Sequence, residues 1–177
     1  MFTLSESIKN RVLSLLDKAS IVLTEQEVDQ LEVTDMGLGE LEIEGLQLVT
    51  YINNENYCAK ELILLPNQTC PEHLHPQVRS LPGKMETFRC RWGIVYLYVE
   101  GEKTENPIAA PPKDKEEFYS VKKEIVLKPG EQYTIQPGVK HWFKAGEEGA
   151  IVSEFSTTSR DEFDLFTDPS INRVGVG

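Results

Sequence analysis

Histidine and cysteine are both scarce in this chain of 177 residues, with three of each. The cysteines, Cys58, Cys70 and Cys90, are odd in number and widely spaced. That excludes a disulfide framework and a Cys-x-x-Cys zinc site, and leaves buried, reduced thiols of a cytosolic protein. Cationic residues are also few: 18 Lys and Arg stand against 29 Asp and Glu, a formal net charge of -11. A surface of that sign repels nucleic acid and anionic lipid, so neither is expected as a partner. No stretch reaches the ~20 apolar residues that span a bilayer. The opening MFTLSESIKNRVLSLL lacks the basic-then-apolar layout of a signal peptide, so a cytoplasmic location is expected. No repeat and no low-complexity tract interrupts the chain. The length fits one domain.

The apolar pattern changes period along the chain. Thr3 and Glu6 have capping-box spacing, and Ile8, Val12, Leu15, Leu16 and Ala19 then fall on one face of a helix. Thr24 and Glu27 repeat the box before a shorter helix carrying Val28 and Leu31. Beyond Met36-Gly37-Leu38-Gly39 the texture becomes β: Gly45 to Asn53, Tyr57 to Leu65, Thr69 to His75, and the long apolar and aromatic run Thr87 to Val99. Glu102 to Ser120 is polar with three prolines and reads as an excursion out of a hairpin, and as a candidate lid. Lys123 to Leu127, Gln132 to Gln136, His141 to Lys144 and Ala150 to Phe155 read as four short strands, the last two parted by a turn at Glu147-Glu148-Gly149. About seven or eight short strands with regular turns imply a sandwich or barrel. The helices pack outside it or join a subunit interface. A third capping box, Ser159 with Glu162, opens a tail whose Asp168-Pro169-Ser170-Ile171-Asn172-Arg173 reads as an ordered loop before a fraying end. The single domain thus divides into a mainly helical extension (1–40), a β-barrel (41–158) and a tail (159–177).

All three histidines lie in two short motifs. His73 and His75 share one strand face, since side chains alternate with a period of two. Lys84 and Glu86 repeat that relation at the start of the next strand, and His141 follows the Pro137-Gly138 turn at the start of another. If those strands are neighbours, three imidazoles and one carboxylate converge on one point, a set that binds a divalent ion at ~2 Å. Such a set leaves open positions for substrate oxygens, which suits Mn²⁺, Fe²⁺, Co²⁺ or Ni²⁺ better than a closed zinc site. Lys84 shares the face of Glu86 and so lies near the ion, where its charge would stabilise an oxyanion. Glu154 stands in the apolar strand Ala150-Ile151-Val152-Ser153-Glu154-Phe155. It points either outward to solvent or into the barrel. Burial without a partner would raise its pKa and suit it to acid–base work. Arg89 and Arg91 read as a solvated strand face, and Trp142 as core.

His73-x-His75 with Glu86-x₆-Gly93, and Gly130-x₆-Pro137-Gly138-x₂-His141, resemble the two motifs of the cupins. The spacing from His75 to Glu86 is longer than in most of them, with Pro82-Gly83 inside it, and Asn67 and Ala145 replace a frequent glycine and asparagine. Within the cupins the chain most resembles the D-lyxose isomerase family. The resemblance rests on Asp35-Met36-Gly37-Leu38-Gly39, Cys70-Pro71-Glu72-His73-Leu74-His75-Pro76, Lys84 to Gly93, Pro137 to Phe143, Val152 to Thr157 and the DPSINR tail. It implies a jelly-roll β-barrel, an all-β core with the N-terminal helices packed outside. It further implies a ketol-isomerase that interconverts D-lyxose and D-xylulose, with D-mannose and D-fructose as a second pair, by proton transfer through a metal-stabilised enediol.

The implied cofactor is Mn²⁺, with Co²⁺, Fe²⁺, Ni²⁺ or Zn²⁺ as substitutes, held by His73, His75, Glu86 and His141. Lys84 and Glu154 are the implied catalytic pair, Glu154 as the base. Lys84, Asp164, Arg173 and Phe143 are the implied sugar contacts, and a homodimer is the implied assembly. The same ligand set suits an iron-dependent cupin dioxygenase, and a non-catalytic sugar-binding cupin is the third alternative.

Overall fold

The computed structural model describes residues 6–173. Helix α1 (Glu6–Lys18) buries Val12, Leu15 and Leu16, so the expected stripe is the packed face; Thr3 lies outside the described residues. Each such buried side chain contributes about 1.5–3 kcal/mol. Helix α2 (Glu25–Asp29) starts at the expected capping box, with the Thr24 hydroxyl accepting from the Glu27 amide while the Glu27 carboxylate accepts from the Thr24 amide.

The rest is one curled antiparallel sheet. Strands β1 (Glu32–Thr34), β2 (Leu46–Asn53), β3 (Cys58–Leu64), β8 (His141–Ser156), β4 (Thr69–Leu74) and β9 (Leu165–Phe166) lie in that order. Strand β5 (Glu86–Val99) runs along β8 and also pairs with β6 (Lys123–Leu127) and β7 (Gln132–Ile135). Sequence reading missed β1 and β9, whose three and two residues are too short to show a period.

A second difference is at β8. The segments 141–144 and 150–155 are not separate strands but the ends of one strand of 16 residues. Val95 of β5 faces Ala145 and Gly93 faces Ala150. Residues 146–149 therefore swell outward opposite Ile94 alone, and the ladder resumes beyond them. The turn residues bend the strand without ending it. Gly93 and Gly149 both have positive φ, and a Cβ on Gly93 would lie 2.1 Å from the Gly149 carbonyl oxygen, so the bend demands glycine there. That bend lets β8 pair with β4 at its start and with β3 at its end, and so closes the sheet on itself.

Alternation sorts the two faces. Leu46, Leu48, Leu62, Leu64, Phe88, Cys90 and Val152 fill the interior. Val49, Ile63 and Ile151 point outward beneath α1. The three cysteines are buried and free, and burial pushes the Cys90 thiol up to about 11.

The 102–120 excursion is fastened to the barrel by buried carboxylates. Glu44 accepts hydrogen bonds from Lys115 and Tyr119. Glu72 accepts from the Ser120 hydroxyl and the Val121 amide. Trp142 is core, stacked on Tyr98 at 3.9 Å between ring centroids and covered by Tyr119.

Candidate active site

His73 and His141 face each other across the β4–β8 ladder, and His75 follows one residue past the end of β4. Their ring centroids are 4.3–5.3 Å apart, and one ring nitrogen of each lies within 4.8 Å of the other two. Backbone geometry aims two of the rings. His73 Nδ1 is 2.7 Å from the Pro71 carbonyl oxygen and His141 Nδ1 is 3.0 Å from that of Val139. Those contacts fix Nδ1 as the protonated nitrogen and leave Nε2 as a lone-pair donor toward the centre. Burial, then the neighbouring rings of His141 and His75, hold His73 well below its usual pKa and therefore neutral. The buried Nε2 of His141 has no directed hydrogen bond, although Glu86 Oε1 lies 2.9 Å away.

Glu86 opens β5 and brings its carboxylate into the cluster, with Oε1 3.2 Å from His75 Nε2. Three imidazoles and a carboxylate on one centre, one nitrogen of them orphaned, fit a divalent cation. Burial alone would lower His75 too, but Glu86 and the hydrogen bond to Asp164 outweigh it and push His75 up to about 9. A cation binding there would displace that proton.

Lys84 is placed by the backbone beside Glu86. Met85 exchanges hydrogen bonds with Thr157, its amide to the Thr157 hydroxyl and its carbonyl from the Thr157 amide. The long spacing that precedes it is a folded loop: a Cβ on Gly83 would sit 2.2 Å from the His75 carbonyl oxygen. Lys84 Nζ lies 2.7 Å from Glu86 Oε2, 3.0 Å from Glu154 Oε1 and 3.8 Å from Asp161 Oδ1. Burial opposes its charge, but Glu154, Glu86 and Asp161 outweigh burial and raise Lys84 well above the usual lysine range, so it is an ammonium. The same balance acts on Glu86, where burial is outweighed by Lys84 and His75 and the carboxyl is held well below its usual range. Glu154 points into the barrel and is buried, the inward of the two orientations its strand allowed. It is not unpartnered, because it accepts a hydrogen bond from Lys84.

Most of these groups line one cavity, with His141 packed behind it. Leu46, Leu48, Leu62, Phe88 and Phe143 form its apolar side, and His73, His75, Lys84, Glu86, Glu154 and Arg173 its polar side. No residue of 102–120 lines it, so the candidate lid does not cover it. Asp164 does not line this cavity either. Its Oδ1 is 2.5 Å from His75 Nδ1 and its Oδ2 accepts from Arg173 at 3.1 Å.

Two charged lining residues escaped the sequence reading, Lys60 and Asp161. Lys60 is opposite Glu154 in the β3–β8 register and donates to Ser159 at 2.9 Å and to Asp161 at 2.5 Å. A lysine on the inward phase of Cys58-Ala59-Lys60-Glu61-Leu62 was the available signal. The expected capping box at Ser159 does not form. The Ser159 hydroxyl donates to Asp161 and only a three-residue 3-10 turn (Asp161–Phe163) follows, because the local acids pair with buried cations instead of capping amides.

Fold and site together define a cupin barrel that carries a buried histidine cluster able to hold a metal ion beside a lysine–glutamate pair. The family described as D-lyxose isomerase matches residues 25–175. The D-lyxose ketol-isomerase of Cohnella laeviribosi is 64% identical over 95% of this chain and 92% of its own. The D-lyxose/D-mannose isomerase of Thermosediminibacter oceani is 62% identical over 96% and 93%. The chain therefore belongs to the D-lyxose isomerase family, and it is an isomerase. Among solved structures, the L-ribose isomerase of Acinetobacter sp. DL28 with L-ribose superposes with a TM-score of 0.79 over 94% of this chain and 92% of that one. At 15% identity that likeness extends to the fold.

Proposed function

We propose that this isomerase interconverts D-lyxose and D-xylulose, with D-mannose and D-fructose as a slower pair, by proton transfer through an enediol and with Mn²⁺ as its divalent ion. The observation that carries this reading is the meeting of His73, His75 and Glu86 with the Lys84–Glu154 pair in one buried cavity, with His141 against the same imidazoles and carboxylate. The relatives' names, D-lyxose in each and D-mannose in one, support the sugars. His73, His75, Glu86 and His141 would hold the ion, and Co²⁺, Fe²⁺, Ni²⁺ or Zn²⁺ would be substitutes. When bound, the ion supplies Lewis acidity to the carbonyl and adjacent hydroxyl of the open-chain sugar.

The chain's own groups then divide the work. Glu154 takes the proton from C2 of the aldose. The C2–H electron pair becomes the C1–C2 double bond, and the C1 carbonyl oxygen gains negative charge. Lys84, an ammonium within reach of Glu154, donates a hydrogen bond to that oxygen. The O2 proton passes to O1 and the Glu154 carboxyl returns its proton to C1, which leaves a ketone at C2. Phe143 and the apolar wall exclude water from the intermediate.

A homodimer is the assembly we infer, since Phe155 and Met85 leave apolar surface exposed on the outer sheet face, at 52% and 41%. Free buried thiols support a cytoplasmic setting. Among the described residues no helix is long and apolar enough to cross a membrane.

The test is ketose formation from a panel of aldoses by chelated protein, before and after Mn²⁺ is restored, with oxygen uptake recorded. The expected result is ketose from D-lyxose, less from D-mannose, and no oxygen consumed. Full turnover after exhaustive chelation, or oxygen uptake in step with product, would overturn the reading. In D₂O, partial deuterium at C1 of the ketose is expected, from exchange of the Glu154 proton before it is returned; its complete absence would favour a hydride shift.

A further inference from the structure

His75 differs from its two companions. The Nδ1 atoms of His73 and His141 each meet a backbone carbonyl two residues earlier in the chain, so the adjoining backbone orients those rings. His75 lies beyond the end of β4 and has no such anchor. Its Nδ1 meets a side chain, Asp164 Oδ1 at 2.5 Å, contributed from 89 residues away. A carboxylate side chain has rotational freedom of its own, so what holds Asp164 decides where the His75 ring points.

What holds it is Arg173. One guanidinium nitrogen donates to Asp164 Oδ2 at 3.1 Å and the other to Asp161 Oδ2 at 3.1 Å, and Glu32 stands 3.8 Å away. A planar fork that reaches two carboxylates fixes both in direction, which a lysine ammonium does not. Arg173 is itself delivered by docking of the segment before it. Leu165 and Phe166 pair with Leu74 and His73. The Thr167 amide donates to the Glu72 carbonyl oxygen and the Asn172 amide to that of Met36. The Phe166 ring lies 5.3 Å from that of His73. The segment thus bears on two of the three imidazoles.

We propose that Arg173 is a positioning residue of the metal site, acting through Asp164 to aim His75, and that the segment 164–173 belongs to the metal-binding apparatus. This rests on the reading that the histidine cluster holds a divalent ion. The sequence alone suggested a different part for Arg173 and Asp164, as sugar contacts.

The experiment is Mn²⁺ titration of chelated protein by calorimetry, without sugar, for wild type, Arg173→Met, Arg173→Lys, Asp164→Asn and the double variant Arg173→Met/Asp164→Asn. Loss of an outer partner of a ligating histidine costs about 10- to 100-fold in metal affinity. That loss is expected for Arg173→Met and Asp164→Asn, with a smaller one for Arg173→Lys. The double variant should be no weaker than the worse single, because both act through one ring. Circular dichroism of each chelated variant keeps a folding failure apart from a metal effect. Should Arg173→Met unfold the chain, the Arg173→Lys and Asp164→Asn titrations decide alone. Unchanged Mn²⁺ affinity in folded Arg173→Lys and Asp164→Asn, or independent losses that add in the double variant, would overturn the inference. A wild-type protein that binds no Mn²⁺ would instead overturn the metal reading on which it rests.

Discussion

Replacing Lys84 by methionine isolates the charge that the site needs to exist at all. The ammonium is 6% exposed and lies between Glu86 at 2.7 Å and Glu154 at 3.0 Å, which are themselves 1% and 4% exposed. Methionine keeps most of the volume and removes the cation, which leaves two buried carboxylates short of a partner. Deleting one member of a buried ion pair costs about 3–5 kcal/mol. A chain of this size loses about 2–4 °C of melting temperature per kcal/mol. Chelated Lys84→Met should therefore melt roughly 6–20 °C below chelated wild type at pH 7. With Lys84 gone, burial raises the Glu86 carboxyl with less to oppose it. Adding Glu154→Gln removes one of the stranded charges, so the double variant should recover part of the loss instead of compounding it. Differential scanning calorimetry in excess chelator reads both. A drop below about 2 °C in the single variant, or losses that add, would refute the idea that Lys84 compensates buried carboxylates.

Further outcomes follow from the same contacts. Glu154→Gln should lower kcat by about 10²- to 10⁴-fold and leave Mn²⁺ affinity near wild type; normal turnover would remove Glu154 as the base. Asp161 is held well below its usual carboxyl range: burial opposes its charge, but Arg173, Lys84 and Lys60 outweigh burial. Its depressed pKa contributes stability that is present above about pH 4, the unfolded value, and is lost as pH falls below it. The stability gap between wild type and Asp161→Asn in urea should therefore narrow from pH 7 to pH 3, and a constant gap would contradict the assignment. Gly93→Ala forces a Cβ to within 2.1 Å of a backbone oxygen at positive φ. It should destabilise the barrel by several kcal/mol in the same urea assay, roughly the class of backbone strain with overpacking.

Much of the site was legible because its residues sit on strands or within two residues of a strand end. A period of two put His73 with His75 and Lys84 with Glu86; the β4–β8 ladder sets His73 opposite His141, and the curl of the sheet brings Glu86 to the imidazoles. The stripe on α1 was readable for the same reason at the helical period. What stayed hidden depended on contacts distant in sequence. Whether Glu154 faced inward was open until its register with Lys60 and Phe88 was seen. Lys60 and Asp161 carry no local motif; their meaning is the ion cluster they complete. The bend in β8 looked like a chain reversal because glycine and two glutamates suit both a turn and a bulge, and only pairing to β5 on both sides separates the two. The family resemblance implies Asp164 as a sugar contact, yet its side chain meets Nδ1 of the His75 ring, a distinction that spacing does not encode.

The most direct test is anomalous diffraction at the manganese edge from crystals grown with Mn²⁺. One peak per chain is expected, about 2.0–2.3 Å from a ring nitrogen of His73, His75 and His141 and from a Glu86 oxygen. A peak elsewhere, or density at that centre with no anomalous signal from a fully loaded crystal, would contradict the site at its root.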